Sequence, residues 1–298
     1  MSQLQHKVET TFATIPKKES LWLDAWKRLR RRKLAMLGGG IVLFFIILAV
    51  LAPVLTPYPY DGAELSQRFI KPMEEGHWLG TDDLGRDLFT RIVYGAQISL
   101  RVGFLAVVGS IIVGTYLGLV AGYYGKWIDM IISRVFDIML AFPSILLAIA
   151  IVTILGRSLT NALIAIAIIN VPTYGRLVRS KVLSLKEEEF IMAAKAIGMK
   201  NWRIIYHHLL PNSMTPIIVQ GTLGIATAII ETAALGFLGL GAVPPTPEWG
   251  TMLADSKDYI QLAPWTVIFP GLSIMLVVLG FNLLGDGLRD ALDPKMKQ

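Results

Sequence analysis

The chain has 298 residues, of which 54% are hydrophobic and only 17% are charged, and it contains no cysteine. Soluble domains carry charge at about a quarter of their positions, so this composition excludes an ordinary soluble protein, and the missing cysteines exclude disulfides and thiolate sites. The net charge of +6 is compatible with a nucleic-acid partner or with an anionic membrane surface, and the distribution of the charge along the chain distinguishes the two.

Six apolar runs along the chain are long enough to cross a bilayer. A hydrocarbon core of about 30 Å needs about 20 helical residues, and runs without alternating polarity form helices rather than barrel strands. We therefore predict an all-α fold, a polytopic bundle of six transmembrane helices. The runs cover residues 34–55, 98–121, 128–155, 162–177, 216–240 and 264–284.

Glycines recur within and directly after the second apolar run, several of them four or five positions apart. Membrane helices use small residues where their backbones approach each other, and no strand precedes these glycines as it would in a phosphate-binding loop. We therefore predict a close helix contact along this run. The glycines are Gly103, Gly109, Gly114, Gly118 and Gly122.

The basic residues are distributed in a way that predicts the orientation of the spans. A cluster from Lys27 to Lys33 precedes the first run, and 21 of the 28 Lys and Arg fall in segments 1–33, 122–134, 176–212 and 286–298. Basic segments stay on the cytoplasmic side, so we predict that both termini are cytoplasmic. Charge divided among short loops forms no single basic face, so we expect no nucleic-acid partner.

The predicted outer segment, residues 56–97, contains an acidic and glycine-rich stretch from Gly80 to Leu88. Asp82, Asp83 and Asp87 do not match the 12-residue frame of a calcium-binding EF-hand loop. We predict a turn followed by a helix start, with aspartate side chains as caps.

The predicted inner segment, residues 180–212, has the pattern of two short helices. Glu187 to Glu189 suit the start of a helix, Gly198 suits a left-handed helix stop, and Asn201 is a good cap for a second helix that Pro211 limits at Leu210. Small and apolar side chains here predict a docking surface for a cytoplasmic partner. An amphipathic helix resting on the membrane is the alternative.

Polar residues inside the runs are the candidates for a transport pathway. Glu231 either lines the pathway and meets a substrate amine or hydrogen-bonds to Thr227 or Thr232, and we leave both interpretations open. Asn282 is a second pathway candidate and, with Asn170, a candidate for bonds between helices. Three charges near the inner end of the third run predict a structural ion pair: Asp129, Arg134 and Asp137.

The inner segment resembles the cytoplasmic loop of the permease subunits of bacterial ABC importers. That signature has Glu-Ala-Ala, then Gly, then Leu-Pro; here it is Met192-Ala193-Ala194, Gly198 and Leu210-Pro211, with Met192 in place of the usual Glu. Glu189 lies just upstream, and Trp202 lies between the two parts of the signature. Three further stretches, beginning at His77, Gly236 and Asn282, narrow the resemblance to the second permease of dipeptide, oligopeptide, glutathione and nickel importers.

The resemblance implies a type I ABC importer transmembrane fold in the bacterial inner membrane. It implies a sister permease, two ATPase subunits that hold ATP and Mg²⁺, and an extracytoplasmic binding protein. The implied organisation is a cytoplasmic segment 1–33, a first transmembrane helix 34–55, an outer segment 56–97, a core 98–290 with the coupling loop 180–212, and a tail 291–298. Residues Glu189, Met192, Ala193, Ala194, Gly198, Trp202, Leu210 and Pro211 are the predicted ATPase contacts.

Two other functional classes compete with the importer. A secondary transporter driven by an ion gradient fits six spans, but we find no convincing internal repeat. An intramembrane hydrolase needs a catalytic pair or a metal triad within the spans, whereas all four histidines fall outside them and Glu231 has no acidic companion. We therefore expect no catalytic residue, no metal site and no cofactor in this chain, and no Walker motif for ATP is present.

Overall fold

The computed structural model describes residues 21–292, with side chains described from Trp26 onward. The predicted segments 1–33 and 291–298 therefore lie partly outside the described residues. Over the described range the chain is helical, and the only β-type pairings are the isolated bridges Glu74 to His77 and Thr81 to Asp87. The helices are α1 (Leu21–Arg31), α2 (Lys33–Val50), α3 (Ala52–Leu55), α4 (Leu88–Tyr124), α5 (Lys126–Ala141), α6 (Ser144–Leu155), α7 (Leu159–Leu185), α8 (Glu189–Ala196), α9 (Asn201–Phe237), α10 (Trp249–Ser256) and α11 (Trp265–Leu292).

Five helices in the described range are long and apolar enough to cross a membrane: α2, α4, α7, α9 and α11. The consecutive helices α5 and α6 together satisfy the same criteria, which makes six spans when the pair is taken as one. The predicted all-α class with six apolar spans is therefore confirmed.

The third predicted span is broken into two helices rather than continuous. Helices α5 and α6 meet at an angle of 96° across Phe142 and Pro143. Pro143 has no N–H for a helical bond, and it forces the preceding residue into extended backbone, where Phe142 has φ −94° and ψ 143°. The hydropathy pattern predicted one continuous span here because it contains no information on how Pro143 constrains the backbone.

Helix α4 begins at Leu88, ten residues before the apolar run 98–121, because the segment that precedes the run supplies the helix cap. The Asp87 carboxylate accepts the N–H of Thr90 at 2.8 Å and pairs with buried His77 at 2.8 Å. Asp82 accepts the backbone N–H groups of Leu84 and Arg86 at 2.9 Å. The predicted roles of these aspartates in a turn and a helix cap are confirmed.

The core of the bundle forms where α4 lies against α7. A Cβ atom added at Gly118 would lie 2.5 Å from the Gly175 carbonyl oxygen, and one added at Gly114 would lie 2.7 Å from that of Val171. Gly122 is packed equally closely against Val182. The predicted close contact along this glycine run is confirmed, and it brings the two backbones together.

Helix α10 lies between α9 and α11, and a buried acid caps it. The Glu248 carboxylate accepts the N–H groups of Gly250 at 2.8 Å and Thr251 at 2.9 Å. Burial raises the pKa of Glu248 to about 7, against the lowering effect of these two bonds. The cap holds the short helix inside the fold.

Helices α5 and α7 are joined by two ion pairs. Arg179 binds Asp129, with one contact at 2.7 Å, and Arg176 binds Asp137. The predicted acids Asp129 and Asp137 do form ion pairs. Their arginine partners belong to α7, and neither acid pairs with the predicted Arg134. Arginines that are distant in sequence become neighbours because α7 packs beside α5 in the folded chain.

Candidate functional site

The candidate site is a helical hairpin formed by α8 and the start of α9. Helix α8 begins at Glu189 after the extended residue Glu188, and it ends where Gly198 takes φ +74°. The backbone N–H of Gly198 donates to the carbonyl oxygen of Lys195, and the N–H of Met199 donates to the carbonyl oxygen of Ala194. These two bonds form the Schellman motif of a helix C-terminus. Gly198 is therefore the helix stop that the sequence predicts.

The second arm of the hairpin is longer than predicted. Pro211 does not end a short helix, because α9 continues from Asn201 to Phe237. Residues Ile204–Leu209 form a π-helical turn, in which the N–H of Leu210 bonds to the carbonyl of Ile205. The wider turn accommodates a proline that would otherwise clash with the carbonyl four residues earlier.

The inner side of the hairpin is a small core of its own. Ile191 is fully buried and Ala194 is 5% exposed, and both pack against Ile204, Ile205 and Leu209. Ala194, which we expected to face a partner, therefore lies inside the hairpin. Its small side chain lets the two arms approach each other.

The outer side of the hairpin is apolar and exposed. Ile197 is 77% exposed and Trp202 is 51% exposed, and Ala193, Glu189 and Pro211 are exposed as well. We call this surface the hairpin face; its large apolar members are Phe190, Met192, Ile197, Trp202 and Tyr206. Ile197 and Tyr206 were not among the predicted residues, although Ile197 directly precedes the predicted helix stop. Large exposed apolar side chains gathered on one short hairpin make it a candidate interaction site.

The hairpin packs against the ends of the neighbouring spans. The Tyr123 hydroxyl at the end of α4 donates to Asn201 Oδ1 at 2.8 Å. Leu119 of α4 and Val182 of α7 belong to the same core cluster as Ile191, and half-buried Leu210 packs against it. The hairpin is therefore connected to the contact between α4 and α7 by a hydrogen bond and by a shared apolar core.

Glu231 lies within the bundle and is 8% exposed. Its carboxylate accepts the amide N–H of Asn170 at 2.8 Å and interacts with the hydroxyl of Ser144, the first residue after the bend between α5 and α6. These partners differ from the predicted Thr227 and Thr232; the Thr232 hydroxyl bonds instead to the Ala228 carbonyl. The fold therefore connects α9, α7 and the bend through one buried acid.

Replacing Glu231 separates a hydrogen-bonding role from a role for its negative charge. We expect Glu231→Gln to keep the temperature of unfolding and the uptake rate close to those of the original chain, because an amide preserves partners for Asn170 and Ser144. We expect Glu231→Leu to lower the free energy of unfolding by about 1–3 kcal/mol, because Asn170 loses a buried partner. Thermal unfolding of the purified complex and an uptake assay measure the two effects. Loss of uptake in a fully stable Glu231→Gln variant would favour the pathway interpretation.

Asn282, the other pathway candidate, is exposed on α11. It lies on a different helix from Glu231, and it is the exposed member of the pair. The two residues therefore do not share one buried site in this chain.

Two family models match separate parts of the chain. Residues 114–298 match the model described as binding-protein-dependent transport system inner membrane component, and residues 20–72 match that of the N-terminal transmembrane domain of oligopeptide transport permease C. A solved structure titled as inward-facing conformations of the MetNI methionine ABC transporter has a TM-score of 0.55 at 21% identity, covering 69% of this chain and 98% of its own. That likeness supports the fold.

Curated relatives are permease subunits. The dipeptide transport system permease protein DppC of Alkalihalophilus pseudofirmus is 70% identical over 278 residues, covering 93% of this chain and 91% of the relative. The glutathione transport system permease protein GsiD of Pectobacterium atrosepticum is 46% identical over 276 residues, covering 93% and 92%. These relatives support an importer subunit and not an ion-driven transporter or an enzyme. The chain thus belongs to the binding-protein-dependent transport system inner membrane components, the multi-pass permease subunits of ABC importers.

Proposed function

We propose that this permease subunit and a sister permease together form a pathway for dipeptides and related short peptides. A binding protein on the outer side delivers the peptide, and two ATPase subunits on the cytoplasmic side drive its passage. The identity of 70% with a dipeptide permease supports this substrate class, and glutathione, named for a more distant relative, is itself a short peptide. The chain has no Walker motif, so ATP and Mg²⁺ are held by the ATPase subunits.

The hairpin face is the proposed ATPase contact, and its exposure is the observation that supports this role most directly. Apolar residues project from a hairpin whose inner side is already filled by its own core. Met192 takes the position of the usual glutamate, so the contact here is apolar where an ion pair would otherwise form. The proposed contact residues are Glu189, Met192, Ala193, Gly198, Trp202 and Pro211, with Ala194 and Leu210 supporting them from inside.

The proposed coupling transmits motion from the hairpin to the spans. When the ATPase subunits close, they displace the hairpin face, and the Asn201 to Tyr123 bond together with the shared core moves α4 and α7. Such rigid-body movements alternate access between the two sides of the membrane. Asn282, exposed on α11, is the proposed pathway residue, and the pathway and hydrogen-bonding interpretations of Glu231 both stay open.

Reconstitution tests the proposed function. The permease pair and its ATPase subunits are placed in proteoliposomes with the binding protein, and uptake of a labelled dipeptide is measured. We expect uptake only when ATP, the ATPase subunits, the sister permease and the binding protein are all present. Uptake by this chain alone, or uptake driven by an ion gradient without ATP, would contradict the proposal. Labelled glutathione and a tripeptide in the same assay test the breadth of the substrate class.

A further inference from the structure

Helix α1 presents a basic surface beside the first residue of the first span. Residues 21–33 contain six basic residues and one acidic residue, Asp24. We call the guanidinium groups of Arg28, Arg30 and Arg31 the α1 basic surface. Arg30 and Arg31 are exposed, and Arg28 is half-buried.

The orientation of α1 follows from one buried residue. Leu29 is 6% exposed and packs with Ala35 and Ala291, close to Gly287 of α11. At 100° per residue, Arg31 points about 160° away from Leu29, and Arg28 and Arg30 lie about 100° to either side. Packing of Leu29 against the end of α11 therefore turns the arginines outward.

The arginines of this surface are not neutralised within the described part of the chain. Arg32, at the break between α1 and α2, pairs with Asp290 at 2.6 Å. No carboxylate oxygen of the described residues lies within 4 Å of Arg28, Arg30 or Arg31. The positive charge of the surface is therefore available to an external anion.

The position of the surface restricts that anion to the membrane boundary. Arg28 precedes Lys33, the first residue of α2, by five residues. Because Arg32 between the helices is extended, this path is at most about 11 Å long, at about 1.5 Å per helical and about 3.4 Å per extended residue. The polar headgroup layer is about 5–8 Å deep on each side of a bilayer, and the Debye length at physiological salt is about 8 Å. The arginines thus stay within reach of lipid headgroups for any tilt of α1.

We propose that the α1 basic surface binds the phosphate groups of anionic phospholipids at the inner face of the membrane. Basic clusters next to a span attract anionic headgroups, and each Lys or Arg near the surface adds a substantial increment of affinity. Trp26 of α1 is 56% exposed and lies one turn from Arg30, and a tryptophan beside basic residues is typical of the boundary between membrane and water. A protein interface is therefore the less favoured alternative. The role is independent of the transported substrate.

Native mass spectrometry of the purified complex, with its partner subunits attached, tests the proposal. Phosphatidylglycerol and phosphatidylcholine are titrated separately, and apparent dissociation constants are compared. The original complex is expected to prefer phosphatidylglycerol, and the preference is expected to fall between about 0.05 M and about 0.5 M ammonium acetate. The variant Arg28→Gln/Arg30→Gln/Arg31→Gln is expected to lose affinity for phosphatidylglycerol roughly 100-fold. Lys27, Arg32 and Lys33 remain to preserve the orientation of the first span.

A matched control removes three positive charges elsewhere. Lys71→Gln/Arg157→Gln/Lys257→Gln changes exposed residues at the opposite ends of the spans and is expected to retain the preference. Lysine at all three arginine positions is also expected to retain the preference, since a headgroup phosphate responds to point charge.

Equal affinities in the original complex and the glutamine variant would overturn the proposal. Loss of an ATPase subunit from that variant, with its lipid preference unchanged, would also overturn it and identify a protein interface. If the glutamine variant fails to assemble, a salt-independent preference in the original complex overturns the proposal.

Discussion

Replacing Gly198 with tryptophan is expected to abolish ATP-driven uptake while leaving the chain inserted in the membrane. Gly198 is exposed on the hairpin, and no atom lies within 4 Å of the position that a Cβ would take. A large side chain at this position therefore clashes with nothing in this chain, but it occupies the space that a docked ATPase subunit would take. We expect the ATPase subunits to be lost on purification and uptake to fall at least tenfold, as affinity chromatography and a proteoliposome assay will measure.

The control for Gly198→Trp comes from a glycine of the same conformation at a different place. Gly239 has φ +73° against +74° for Gly198, and it too has no atom within 4 Å of a Cβ. Gly239→Trp therefore has the same backbone strain, about 1 kcal/mol, and is expected to retain the ATPase subunits. Gly198→Ala has the strain without the bulk and is expected to retain them also. Normal attachment in Gly198→Trp would refute the docking role of the hairpin face.

The contact between α4 and α7 is expected to be a site at which one added methyl group lowers stability substantially. A methyl group at Gly118 would lie 2.5 Å from the Gly175 carbonyl oxygen and 2.9 Å from Val178 Cβ. Backbone atoms cannot move aside without separating the two helices. We expect Gly118→Ala to lower the free energy of unfolding by about 2 kcal/mol or more, despite the higher helix propensity of alanine.

Gly109 gives the matched comparison for that substitution on the same helix. A Cβ there would meet only the Ala167 methyl group, at 3.4 Å, which is an ordinary contact distance. Gly109→Ala is therefore expected to be neutral or to stabilise the chain by up to about 1 kcal/mol. The unfolding temperatures of the two purified variants decide the matter. If both variants unfold at the same temperature, the close approach of α4 and α7 is not a major contribution to stability.

Some features of the candidate site could be predicted from the sequence, and others could not. The stop at Gly198 was predictable, because a glycine that follows a helical stretch provides the left-handed conformation locally. The burial of Ala194 beside exposed Ala193 was not, because both are alanines on one short helix and only the packing of α9 decides which faces inward. Ile197 and Tyr206 join the hairpin face for the same reason.

For the polar residues in the spans, too, the sequence indicated the need for a partner but not which residue the partner is. The sequence indicated that Glu231 needs a partner, since a charge in the membrane must be compensated. It did not identify Asn170 and Ser144, which are distant in sequence and meet Glu231 only after α7 and the bend pack against α9. Likewise Arg176 and Arg179, not the neighbouring Arg134, pair with the acids of α5.

By itself the sequence determined the class, the number of apolar spans and the position of the hairpin, because hydropathy and glycine conformation are properties of short stretches of chain. Only the tertiary structure decided the 96° bend, the continuation of α9 past Pro211 and the partners of each buried charge. These features depend on which helices approach each other, and that choice is made by packing between residues far apart along the chain.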